Sequence, residues 1–151
     1  MSPTQRLQLV QRVTDEKKRQ QARRLAQTRA RVAECETKLK ELQGYHAGYV
    51  RQFDQRAASG IAGAGIREFQ AFLAKLAEAV RQQEELVRKA ISESEAARTN
   101  WQGAAQRSQI MGKVVEQHAV RESRARDRRD QRESDDRGQR KTNGRLDSSG
   151  N

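Results

Sequence analysis

Three groups of residues in this chain could do chemistry, and each lacks the neighbours its chemistry needs. Gly60, Gly63 and Gly65 are spaced like the glycines of a phosphate-cradling loop. No Gly-Lys-Ser/Thr follows them and no strand precedes them, so the stretch reads as a hinge. Glycine relieves the backbone where two helices reverse direction. His46 and His118 have no Cys or second His at helical metal-binding spacing. The single cysteine, Cys35, lies in an apolar repeat as a small buried group; with no internal disulfide possible, a reducing cytosol is the expected compartment. The carboxylate pairs Glu84–Glu85 and Asp135–Asp136 lie on helical or tail sequence, with no pocket to lift a carboxyl pKa for acid–base work. The expectation is a protein that is not an enzyme, with no catalytic residue, no metal and no cofactor.

What the chain does repeat is a spacing. Ile66, Phe69, Leu73, Leu76, Val80, Gln83, Val87, Ala90, Ser94, Ala97, Trp101, Ala104, Ser108, Met111 and Val115 form an unbroken heptad ladder. A shorter ladder precedes it: Leu25, Thr28, Val32, Cys35, Leu39, Leu42, His46, Tyr49 and Phe53. Apolar residues every 3.5 positions need a partner helix, and the other half of the same chain is the simplest one. Composition agrees: of 151 residues, 34% are charged, 34% hydrophobic and 4% aromatic, enough to fill a seam but not a globular core. The only proline, Pro3, stands where a helix can start, with Ser2 or Thr4 available as its cap.

The predicted fold is therefore all-α, a long two-helix antiparallel coiled-coil hairpin over 1–118 with a disordered charged C-terminal tail over 119–151. Helix one is expected over 3–56, the bend over 57–65, and helix two over 65–118 or beyond, each helix on the order of 80 Å long. A bend centred on Ile61 pairs residues whose numbers total about 122. Phe53 then meets Phe69, Cys35 meets Val87, Leu25 meets Ala97 and Leu7 meets Val115, always an a position against a d position. Farther from the bend helix one presents Thr14, Lys18 and Gln21 to the seam while Leu9, Val10 and Val13 fall off it. Either the register shifts there, or the open end docks into something else. After His118 the pattern dissolves into mixed charge that cannot repay its ordering entropy in isolation; its first part can continue as a solvated helix with intrahelical ion pairs, and disorder is expected beyond about Gly138.

The formal net charge is +11, and Gln5 to Lys40 carries eleven Lys/Arg against four Asp/Glu. From Ala119 to Asn151 the counts are ten and seven. An anionic partner is expected at helix one. No apolar run approaches the roughly 20 residues needed to span a bilayer, and the N-terminus lacks the apolar region of a signal peptide.

Beside the bend, Leu42, Tyr45 and Tyr49 form one stripe and Phe72, Leu76 and Ala79 another. Tyr45 and Phe72 fall at g positions, next to the seam, where large aromatics suit a partner contact better than self-packing. The segments Leu39-Lys40-Glu41-Leu42-Gln43-Gly44-Tyr45, with Tyr49, and Gly60-Ile61 followed by Phe69-Gln70-Ala71-Phe72-Leu73, Leu76, Ala79 and Gln82, with Trp101 downstream, resemble the FliJ family of flagellar type III export proteins. The resemblance covers roughly Leu7 to Val115. It implies an antiparallel coiled coil similar to the stalk of the ATP synthase gamma subunit, non-enzymatic and cytoplasmic, peripheral at the inner face of the cell membrane.

The partners it implies are the export ATPase hexamer, the transmembrane export gate protein and the export chaperones, with membrane association through those partners. Its gate-binding surface maps onto Leu42, Tyr45, Tyr49, Phe72, Leu76 and Ala79. Lys38 and Gln83 stand where the family often has an amide and an imidazole at the ends of that surface. By analogy with the gamma subunit, the ATPase ring is expected at the open end, at Leu9, Val10, Arg12, Val13, Lys17 and Lys18. A rival reading is a basic coiled-coil scaffold for nucleic acid or an anionic membrane surface. Without a basic block feeding a parallel zipper or an aromatic platform for bases, no nucleic acid is expected.

Overall fold

The computed structural model describes residues 1–60 and 63–148, and these form two helices with no strand among the described residues. Helix α1 spans Pro3–Ala58 and helix α2 spans Gly63–Ser148. At the start of α1, Ser2 is the cap and Pro3 the first helical residue. The Gln5 amide donates to Ser2 Oγ at 3.2 Å while the Ser2 amide donates to Gln5 Oε1 at 3.0 Å. Two end groups are thus satisfied reciprocally, in a capping box with Gln at its third position. Thr4, the other candidate cap, is engaged elsewhere.

Helix α1 ends at Ala58, two residues before Gly60, whose φ of +89° is the left-handed conformation that ends helices and that a Cβ disfavours. The Gly60 amide donates to the Ala57 carbonyl and the Ser59 amide to Gln55 and Arg56, which pairs the last carbonyls of the helix. Of the three glycines read as a hinge over 57–65, only Gly60 lies in the turn; Gly63 and Gly65 already belong to the first turn of α2, and residues 57 and 58 still belong to α1. Ile61, taken as the centre of the bend, lies outside the described residues, as does Ala62.

The chain divides into two units. One comprises residues 17–104 and holds the inner seam. Both ladders face inward here: Leu25, Thr28 and Cys35 are buried against a set that includes Gln83, Val87, Ala90 and Ala97, with Val32 and Leu39 packed on the Cys35–Val87–Ala90 cluster. Phe53 stacks on Phe69 at 5.5 Å between ring centroids. Cys35 with Val87 and Phe53 with Phe69 keep the expected antiparallel register. The buried polar groups are paired: Thr28 Oγ1 donates to the Leu25 carbonyl at 2.9 Å, and Gln83 Nε2 crosses the seam to the Cys35 carbonyl at 3.0 Å.

The other unit comprises residues 1–16 and 105–151. Leu7, Gln11 and Thr14 are half-buried at strict heptad spacing while Leu9, Val10 and Val13 are exposed, so no register shift occurs. The contacts here are polar: Ser108 donates to Asp15, and Thr4 lies 3.2 Å from His118 Nε2 and donates to Glu122 Oε1 at 2.9 Å. Helix α2 keeps its inward heptad positions through His118, Glu122 and Ala125 and remains helical to Ser148. The solvated helix open to the first part of the tail runs on to Ser148, past the Gly138 beyond which disorder is expected from composition, and every residue from 126 to 148 is exposed. The sequence there lacks an apolar stripe but also lacks proline, and local pairs such as Arg137–Glu133 suit a solvated helix.

Candidate functional site

The six residues expected to form a patch beside the bend differ in their exposure. Leu42, Leu76 and Ala79 are half-buried, with only one edge outward. Tyr45 is 60% exposed, Phe72 43% and Tyr49 36%. Tyr49 and Phe72 come together across the two helices as an edge-to-face pair, with centroids 4.9 Å apart and planes at 82°. Phe72 also meets Phe69 edge-on at 6.3 Å, and the Arg56 guanidinium covers the Phe69 ring at 5.5 Å. The aromatic cluster therefore joins Phe53, Phe69 and Tyr49 of the seam ladders to Phe72, which climbs out beside them. Tyr45 stands beyond that cluster, next to a shallow groove lined by Gly44, Gly48, Tyr49 and Gln52.

Heptad geometry explains the climb. A g position lies beside the helix–helix contact, so its side chain can rest its base on the seam while its tip remains in water. Covering the exposed parts of Tyr45 and Phe72 would contribute about 2–3 kcal/mol each to association. Gln83, in line with the family's surface, is only 4% exposed and spends its amide on the Cys35 carbonyl, so it belongs to the seam. Lys38 is exposed.

The second set of expected contact residues divides between the units. Leu9, Val10, Arg12 and Val13 are exposed in the outer unit, and Lys17 and Lys18 are exposed in the inner one. Ile110 and Val114 are further exposed apolar residues on α2 of the outer unit. The sequence reading missed the Thr4–His118–Glu122 cluster, in which His118 Nε2 also lies 3.2 Å from Glu122 Oε1. The signal was present, since the total of 122 that pairs Cys35 with Val87 also pairs Thr4 with His118. No three acidic, His or Cys side chains among the described residues could hold a metal ion, and no described helix is long and apolar enough to cross a membrane.

A family model described as flagellar FliJ protein matches residues 3–146. The match takes in the charged tail as well as the two ladders, so the resemblance extends well past Val115, where the sequence motifs alone had ended it. Neither among curated proteins nor among solved structures does anything match the chain.

Proposed function

Because the chain belongs to the FliJ family, and so is a component of the flagellar export apparatus, we propose that it couples the export ATPase ring to the transmembrane export gate. In this reading Leu42, Tyr45, Tyr49, Phe72, Leu76 and Ala79 bind the gate. Leu9, Val10, Arg12, Val13, Lys17 and Lys18 contact the ATPase hexamer. The chain works in the cytoplasm, reaches the inner face of the membrane through these partners, and helps pass on export chaperones. It carries out no catalysis itself.

The observation that supports this most is the exposure of Tyr45 and Phe72 at g positions, where the hairpin itself has no use for their full area. A helical hairpin suits coupling because its backbone is internally hydrogen-bonded and few of its side chains are needed for partner contacts. The Tyr45→Ala/Phe72→Ala double variant tests the gate contact. Intact helicity with lost binding to the gate's cytoplasmic domain and lost swimming is the expected result. Unchanged gate binding would sink the assignment. Mixing the chain with the export ATPase tests the ring contact, and no change in ring assembly or ATP hydrolysis counts against it.

A further inference from the structure

One strongly charged feature is used by neither proposed contact surface as a whole. Lys17, Arg24, Arg31 and Lys38 occupy four successive g positions of α1, one per heptad, so their Cα atoms follow one another at about 10.5 Å. All four are exposed in the inner unit, and none makes an ion pair or hydrogen bond among the described residues. The next g residue is Tyr45, so the cation column runs directly into the aromatic patch.

A hairpin that balanced its own charge would place acids on the facing helix. Residues 17–40 carry nine Lys/Arg against two Glu, and residues 82–105, which the register sets opposite, carry three Lys/Arg against four Glu. The g column of α2 offers Leu86, Glu93 and Asn100 here, and Glu93 forms no ion pair with any of the four cations. Glu34 and Glu41 flank the column on α1 and likewise leave it unpaired. Four of the nine cations are therefore presented outward in one line, and the other five lie at other positions around α1.

We propose that this g face is a docking track for an acidic α-helical segment of a partner protein, with carboxylates recurring every seven residues. The period carries the choice of occupant. A helix laid alongside α1 repeats its side chains at the same 10.5 Å interval, so each carboxylate can meet one cation. Duplex phosphates recur at a different interval and diverge around a groove, and a lipid surface has no interval at all. The aromatic end of the track suits an amphipathic helix whose acidic stretch gives way to apolar residues. The track shares Lys17 with the proposed ring contact and ends at Tyr45 of the proposed gate contact, and both residues are left unaltered in the test, so its outcome does not depend on either contact.

The test uses the full chain and a labelled helical peptide of about four heptads carrying Glu at every seventh position, with a control peptide of identical composition in permuted order. Binding is followed by fluorescence polarisation at about 20 mM salt, where screening is weak. The periodic peptide should bind about tenfold more tightly than the permuted one, the scale of a few exposed ion pairs. The Arg24→Gln/Arg31→Gln/Lys38→Gln variant, with helicity checked by circular dichroism, should lose that preference. The comparison of the two peptides on the unaltered chain needs no variant and stands even if the triple variant misfolds. Equal affinity for both peptides overturns the proposal. So does tighter binding to arbitrary duplex DNA or to phosphatidylglycerol vesicles than to the periodic peptide, or a well-folded triple variant that keeps the preference.

Discussion

At the scale of single residues, Gly60 and Gln83 show how specific positions fix an otherwise repetitive molecule. Gly60 holds a φ of +89° with no atom within 4 Å of where a Cβ would lie, so a side chain there meets strain and not crowding. Gly60→Ala should lower stability by about 1–2 kcal/mol in thermal or urea melts, and an unchanged midpoint would show that the bend relaxes at no cost. Gln83 is a lone buried carboxamide whose amide reaches across the seam to the Cys35 carbonyl. That carbonyl lies within α1 and has its own helical donor, so the bond adds specificity more than strength. Gln83→Leu is expected to hold stability within about 1 kcal/mol or raise it, while loosening the choice between hairpin and intermolecular pairing. A rise in dimer on size-exclusion chromatography at equal helicity is the readout, and a strictly unchanged elution would refute the registry role.

At the scale of the elements, the seam depends on size matching. Ala90 and Ala97 on α2 are almost wholly buried, and the register sets them against the larger Val32 and Leu25 of α1. Adding bulk there forces the helices apart. Ala97→Leu should cost about 1–3 kcal/mol in melts, while Ala96→Leu, one residue away on the exposed side, should be nearly silent. Equal effects at the two positions would mean that the seam is loosely packed. The far part of α2 is the opposite case. Residues 126–148 are exposed throughout, so ending the chain after Ala125 should reduce the far-UV helical signal without moving the melting midpoint. A lowered midpoint would reveal packing by that segment.

For the whole molecule, the basic residues of α1 and the heptad pattern of both helices follow from one sequence economy. With 4% aromatic residues there is little to bury except along one line, and the remaining positions are free to carry charge. Intramolecular pairing is testable directly: spin labels at Cys35 and at Val87→Cys should report a short distance that survives dilution with unlabelled chain. A long distance, or one lost on dilution, would mean that the ladders zip between molecules. The two ladders, their register and the hinge were legible because spacing every 3.5 residues leaves a one-dimensional record that needs no coordinates to read. The aromatic patch was legible for the same reason, since a g position is a matter of counting. How far α2 runs past His118 was not, because residues 119–148 carry no periodic apolar signal and composition speaks of entropy and not of backbone geometry.

By itself, the sequence determined that this chain makes two antiparallel helices joined at glycines, with excess positive charge on the first. Hydrophobic periodicity and backbone chemistry suffice for that. Only the tertiary structure decided which polar atoms meet: Ser2 and not Thr4 caps α1, Thr4 turns to His118 and Glu122, and Gln83 reaches the Cys35 carbonyl. Such choices depend on side-chain reach and angle to within an ångström, and residue type and spacing do not encode that until the second helix is in place.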